Sequence, residues 1–297
     1  MKISKYHGTG NDFVFWLDLE DRSLPTPSLV AALCDRHRGV GADGVIRIAP
    51  STKAAFFMDY WNADGETAEM CGNGIRCLAK YVYDRGLDDR TEIDVETRAG
   101  VKRLALEVDG GGVSRVRVDM GAPAFDREAL PMKGEGTFLD QPLEADGVTT
   151  RAFGISMGNP HLVLLGDVDP WDIDVSRIGP TLEHHEEFPE RTNVEFARVR
   201  DGRVEVRVWE RGSGETMACG TGACASLVAA NLAGLVPRSA PVVFPGGDLT
   251  IEWSEENDHV LLTGPATFVF DAELDGAWVE AARSGAAGPV PTHEVSA

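Results

Sequence analysis

Met70-Cys71-Gly72-Asn73-Gly74 and Ala218-Cys219-Gly220-Thr221-Gly222 decide how this chain is read. Each carries a cysteine followed by Gly-x-Gly, and the two cysteines stand 148 residues apart (219 − 71). The same offset carries Gly10-Asn11 onto Gly158-Asn159, Trp61 onto Trp209, Asn62 onto Glu210 and Gly86-Leu87 onto Gly234-Leu235. Coincidences in one register imply a duplicated unit that contributes one cysteine loop from each half. Two equivalent thiols across a pseudo-twofold axis can handle a proton on opposite faces of one carbon, which is what inverting a stereocentre requires.

The residues after each loop read as helices. Ile75 to Tyr83 is apolar around most of its surface and stops at Gly86; Ala223 to Ala233 is apolar nearly all round and stops at Gly234. A helix without a polar face is buried on all sides. Around them the chain alternates in short runs, Glu92–Thr97, Ser114–Asp119, Arg203–Val208 and Leu249–Trp253, the pattern of half-buried antiparallel strands. A further helix is predicted from a cap at Thr26 to Cys34. The expectation is an α+β fold of two pseudo-symmetric domains, each with sheet wrapped around one central helix. Gly121-Ala122-Pro123-Ala124-Phe125 and Gly264-Pro265-Ala266-Thr267-Phe268 read as related exits from the two units. The stretch from Ser284 onward reads as a frayed tail.

With 297 residues, 43% hydrophobic and 26% charged, the chain is globular and long enough for two cores. A net charge of −20 excludes a basic nucleic-acid surface and repels anionic membranes. No signal-peptide core or membrane-length apolar run is present, so a cytoplasmic protein is expected. Five cysteines, an odd number, fit reduced thiols rather than a disulfide scaffold.

A glycine-flanked loop opening a helix leaves backbone N–H groups free to bind an anion and to depress a thiol's pKa. Cys71 and Cys219 are therefore expected to be reactive, whereas Cys34, Cys77 and Cys224 read as core. Cysteine spacings of Cys-x5-Cys and Cys-x4-Cys do not suit zinc, so no metal is expected. A pyridoxal cofactor is not expected either, since all six lysines lie at or before Lys133 and none in a glycine-rich loop. Gly154-Ile155-Ser156-Met157-Gly158 matches a hydrolase elbow formally, which leaves a serine esterase using Ser156 as an alternative. Its context argues against it, because a strand-like Leu162–Leu165 follows instead of a helix. Glu210-Arg211 pairs a carboxylate that can hold an ammonium with a guanidinium that can hold a carboxylate.

Tyr6-His7-Gly8-Thr9-Gly10-Asn11-Asp12-Phe13, Asn62-Ala63-Asp64-Gly65, Gly158-Asn159-Pro160-His161, Glu210-Arg211-Gly212 and the two cysteine loops together resemble the diaminopimelate epimerases, in order from residue 3 to about 270. Proline racemases, with paired Cys-Gly loops but no Glu-Arg-Gly run, are the second reading. The resemblance implies a pyridoxal-independent epimerase that interconverts LL- and meso-2,6-diaminoheptanedioate in lysine and cell-wall precursor synthesis. It implies β-barrel-like domains around central helices, with segments exchanged so that one domain holds residues 1–121 and 265–297 and the other 122–264.

The resemblance also assigns roles. Cys71 and Cys219 would be the bases, with Gly72, Asn73, Gly220 and Thr221 cradling the reacting carboxylate, Glu210 holding the reacting ammonium and His161 assisting. Asn11, Asn62, Asn159, Asn193 and Arg211 would grip the distal centre. Two positions depart from the family pattern: Gly44 stands where many members have glutamine, and Phe270 where a tyrosine accompanies homodimerisation.

Overall fold

In the run Glu92–Thr97, Ile93, Val95 and Thr97 are buried and Glu92 is exposed, as alternation demands of a strand over a core. The other three alternating runs also lie within strands. The structure is a computed structural model and describes residues 1–145 and 148–286. Its first run of elements is β1 (Lys2–Gly8), β2 (Asn11–Leu17), α1 (Pro27–Cys34), β3 (Gly44–Ala49), β4 (Phe56–Asn62), α2 (Gly72–Asp84), β5 (Glu92–Thr97), β6 (Gly100–Asp109) and β7 (Gly112–Asp119). The second is β8 (Gln141–Ala145), β9 (Val148–Ser156), β10 (Pro160–Leu165), α3 (Val175–Glu183), β11 (Asn193–Arg200), β12 (Arg203–Glu210), β13 (Gly214–Thr216), α4 (Gly220–Leu232), β14 (Ser239–Phe244), β15 (Gly247–Trp253) and β16 (Val260–Pro265). Last come β17 (Thr267–Glu273) and α5 (Gly276–Arg283).

The two runs pair in the same pattern. In the first, β1–β2 is antiparallel, β2–β3 parallel, β3–β4 antiparallel, β4–β5 parallel, and β5–β6–β7 antiparallel. In the second, β9, β10, β11, β12, β14, β15 and β16 repeat that alternation strand for strand. The curled sheets join through the antiparallel pair β7–β16, where Val118 faces Leu262. At this seam the chain exchanges sides. β17 returns to pair with β1, and β8 pairs with β9.

Each sheet curls around one helix. Ile75, Cys77, Leu78 and Val82 of α2, and Ala223, Cys224, Leu227 and Val228 of α4, are wholly buried in one continuous core with the strands. Both helices end alike. Gly86 and Gly234 take positive φ (67° and 74°), and Leu87 N–H and Leu235 N–H bond back to Val82 O and Ala230 O at 2.9 and 3.0 Å. Their starts differ from the sequence reading: α2 begins at Gly72 and α4 at Gly220, three residues before the apolar stretches, making each cysteine the residue that caps its helix. Further helices cover the outer faces, α3 over Leu162, Leu164 and Phe196, and α1 with α5 over Val14, Trp16 and Val45. That second layer explains why Leu162–Leu165 is apolar on both sides. Of the tail, Ser284, Gly285 and Ala286 form the closing turn of α5, and residues 287–297 lie outside the described residues. Among the described residues no helix is long and apolar enough to cross a membrane.

Candidate active site

The strand–loop–helix units β4–α2 and β12–α4 bring the two cysteine loops together. Met58 and Tyr60 on β4, and Val206 and Val208 on β12, point into the core, so the next inward position, Asn62 or Glu210, arrives at the mouth of the helix. Cys71 and Cys219 follow as the N-caps of α2 and α4. The helix N-termini meet head to head: a Cβ placed on Gly220 would lie 3.5 Å from the Gly72 Cα. Two positive dipole ends thus converge on one point between two thiols. First-turn N–H groups have no acceptor within their own helix, so this point can hold a carboxylate.

On the first side, Asp43 fixes Asn11 by accepting from its Nδ2 at 2.7 Å. The Asn11 Oδ1 then faces the loop, accepting from Asn73 Nδ2 at 3.2 Å and from the Cys71 thiol at 3.7 Å. Asn73 Nδ2 also donates across the seam to Ala218 O at 3.1 Å. On the second side, Asn159 Nδ2 donates to Thr221 Oγ1 at 3.3 Å, and that oxygen lies 3.4 Å from Cys219 Sγ. Asn159 Oδ1 accepts from His161 Nε2 at 3.1 Å, and His161 Nδ1 shares a proton with Glu195 Oε1 at 2.7 Å. A continuous hydrogen-bonded chain therefore runs from Glu195 to the Cys219 sulfur.

The remaining candidates are less converged. Glu210 accepts from the Thr216 hydroxyl. Both ends of Asn193 are engaged, its Nδ2 by Pro160 O at 2.7 Å and its Oδ1 by the Arg211 N–H at 2.9 Å, so it holds the Arg211 turn. Arg211 is half-buried, with one guanidinium nitrogen 3.4 Å from Glu190 O. Asn62 is half-buried at the end of β4. Ser156 is buried within β9, its Oγ accepts from Gly158 N–H at 3.3 Å, and the strand β10 follows it where an elbow would have a helix.

The expected depression of the thiols is not what the structure gives. Burial pushes Cys71 up to about 11, helped by the Glu210 charge and opposed by the N–H groups of Gly74 and Asn73 and by Arg76. Cys219 is driven well above its ordinary value by burial and by the Glu210 and Glu195 carboxylates, against donors from Thr221 and Gly222. Burial likewise raises Glu210, eased by hydrogen bonds from Thr216 and Cys219. The helix-terminus argument is local, whereas desolvation depends on everything the fold packs around each sulfur.

Three site-forming residues went unread in the sequence. Glu195 is one, fully buried, and a Cβ on Gly222 would sit 2.5 Å from its Oε1, so the second glycine of the loop makes room for it. Its signal was a charge inside the buried strand Asn193-Val194-Glu195-Phe196-Ala197. Tyr60 is another: a Cβ on Gly44 would fall 2.7 Å from its Cε2, so this ring fills the space opened by that glycine. Burial, with Cys71 and Glu210 next, keeps the Tyr60 hydroxyl protonated far above its ordinary pKa. Arg76 is the third, wholly buried one turn into α2.

The chain matches the sequence profile of diaminopimelate epimerase over residues 3–125 and 153–269. It is 48% identical to a diaminopimelate epimerase of Acetivibrio thermocellus over 279 residues, covering 93% of this chain and 99% of that one. Against the diaminopimelate epimerase of Moorella thermoacetica the identity is 49%, covering 92% and 99%. Among solved structures it superposes on a Bacillus anthracis phenazine biosynthesis protein of the PhzF family with a TM-score of 0.68 at 19% identity, covering 93% and 99% of the two chains. A hydroxyproline epimerase from Agrobacterium vitis gives 0.64 at 15%, covering 92% and 90%. The two structural likenesses establish the curled-sheet fold alone. With sequence matches across nearly its whole length, the chain belongs to the diaminopimelate epimerase family.

Proposed function

We propose that this chain is an isomerase that interconverts LL- and meso-2,6-diaminoheptanedioate without a cofactor, using Cys71 and Cys219 as paired base and acid. The observation that carries the reading is the head-to-head meeting of two helices, each capped by a cysteine. The α-proton of an amino acid is weakly acidic, so the carbanion must be stabilised by preorganised donors. The reacting carboxylate would sit on the N–H groups of Gly72, Asn73, Gly220 and Thr221, and its ammonium against Glu210. That ammonium also supplies the opposite charge that favours one thiolate against the burial that raises both thiols. The thiolate removes the α-proton, becoming a thiol. The opposite thiol delivers its proton to the other face and becomes the thiolate for the reverse reaction.

His161 would assist through the chain from Glu195 to Cys219. Asn11, Asn62, Asn159, Asn193 and Arg211 would select the distal amino-acid centre. The moving units would be residues 1–121 with 265 onward, and 122–264, hinging about the β7–β16 seam to admit substrate. We further read the chain as a cytoplasmic homodimer serving lysine and cell-wall precursor synthesis. Support for the dimer lies in β17, an edge strand that exposes Phe268, Val269 and Phe270 in a row. The test is incubation with LL-diaminopimelate, proline and lysine, followed by chromatographic separation of stereoisomers. Only diaminopimelate should be inverted; efficient proline inversion would move the chain's activity to the racemase class.

A further inference from the structure

Arg76 is wholly buried, yet every acceptor it reaches is neutral. Its Nε donates to Pro265 O at 3.2 Å, Nη1 to Gly72 O at 3.0 Å, and Nη2 to Asn73 Oδ1 at 3.0 Å and Thr9 Oγ1 at 3.4 Å. Among the described residues no carboxylate lies within salt-bridge distance of it. Burying a guanidinium without an anion is unfavourable, and the fold has been shaped to accept one. A Cβ on Gly8 would lie 3.1 Å from Nη2, and a Cβ on Gly264 would lie 3.0 Å from Nε. Glycines from both halves thus leave room beside it, Gly264 for Leu249 Cδ2 as well as for the guanidinium.

Resting on the epimerase reading above, we propose that Arg76 is a positioning residue and the fixed positive charge of the reaction centre, acting on the substrate's reacting carboxylate and on Cys71 without touching either reacting atom. Two links carry this. By taking Asn73 Oδ1, Arg76 sets the amide so that its Nδ2 can reach both Asn11 and Ala218, which ties the two loops together. By lying one turn behind Cys71, it adds a full charge to the half charge of the helix N-terminus. The chain as a whole carries −20, so a carboxylate held here needs a local source of positive potential.

The charged and titratable groups facing the pair are few. Cys77 shares the helix, Cys224 comes from α4, Arg115 from β7, Glu210 from β12 and Tyr60 from β4. Glu210 works against the thiolate and Arg76 for it. Burial pushes Arg76 itself below its ordinary value, but a guanidinium stays protonated in proteins.

The test compares Arg76→Lys, which keeps the charge and loses the fork, with Arg76→Gln, which keeps a planar donor and loses the charge. Two readouts are taken. The first is substrate-free: the rate at which iodoacetamide alkylates Cys71 at pH 8, followed by mass spectrometry of its peptide. It should fall about threefold or more in the glutamine variant and stay near wild type in the lysine variant, because alkylation tracks the thiolate fraction. The second is the acidic limb of kcat/KM for diaminopimelate, which should move to higher pH in the glutamine variant alone, while kcat falls in both. A purely structural Arg76 would lower the melting temperature and leave both readouts where they were, and that result overturns the proposal. So does an equal shift in both variants. Should the glutamine variant not fold, Arg76→Met takes its place as the charge-free variant, with the same two shifts expected and unmoved readouts again overturning the proposal. If wild type fails to invert diaminopimelate at all, the epimerase reading falls, while the alkylation comparison still decides the role of the charge.

Discussion

Gly72 and Gly220 face each other across the seam: a Cβ on Gly72 would stand 3.7 Å from the Gly220 Cα, and one on Gly220 3.5 Å from the Gly72 Cα. Each is the first helical residue after its cysteine, so the separation of these two backbones sets how close the thiols can come to one carbon.

Gly72 has room for a methyl group, and at Gly220 a methyl needs only the free end of the Leu262 side chain to shift by a few tenths of an ångström. Gly72→Ala meets nothing nearer than 3.7 Å, and Gly220→Ala meets Leu262 Cδ1 at 3.3 Å. Both single variants should fold with melting temperatures close to wild type, since alanine favours a helix over glycine by up to ~1 kcal/mol. The double variant places two methyls in one gap. Its kcat/KM should fall about tenfold more than the product of the single effects, a coupling expected of groups that share a space. Additive losses would show that the two loops do not close on one another.

Glu195→Gln replaces the carboxyl group that His161 faces inside a fully buried pair. Stability should drop by about 1–3 kcal/mol in urea titrations, as when a buried hydrogen-bonding partner is lost. Turnover should drop too, because the chain to Cys219 loses its anchor. Gly222→Ala, whose new methyl would press on Glu195 Oε1, should lower turnover in the same direction. Normal turnover in both would remove the pair from the mechanism.

Burial raises both thiols of the candidate site, Cys71 to about 11 from 9.0. The folded chain therefore keeps protons that the unfolded chain releases between pH 9 and about 11. The stabilisation is complete below pH 9 and declines as pH climbs toward 11. Unfolding free energy measured across that window should fall, and fall less steeply in Cys71→Ala. At pH 7 iodoacetamide should modify the empty protein about tenfold or more slowly than free cysteine. Rapid modification of Cys71 or Cys219 at pH 7 would contradict the burial argument.

Arg211 offers a planar fork, and its turn is braced by Asn193. If it grips the distal carboxylate, Arg211→Lys should raise KM about tenfold or more with kcat nearly unchanged, since lysine cannot reproduce bidentate contact. A fall in kcat at constant KM would place it at the reacting centre instead.

Periodicity and the 148-residue offset carried much of the fold. Trp61 and Trp209 do occupy matching rungs, opposite Val45 and Val194. The helix starts were misjudged because Gly-x-Gly has the propensity of a loop, and packing between the halves overrides it. Glu195 and Arg76 were visible as charges in apolar company, but only tertiary structure reveals that one meets His161 and the other meets no anion. The thiol pKa values were out of reach for the same reason. Their largest cause is burial by residues from distant parts of the chain.

Inversion by two thiols is tested most directly by running LL-diaminopimelate in deuterium oxide and following the α-protons by NMR at early times. Two-base chemistry predicts that each molecule of meso product carries deuterium at the inverted carbon while unreacted substrate keeps its protium, and that Cys71→Ala and Cys219→Ala each abolish inversion. Deuterium entering recovered substrate as fast as product, or near-normal inversion by either alanine variant, would contradict it.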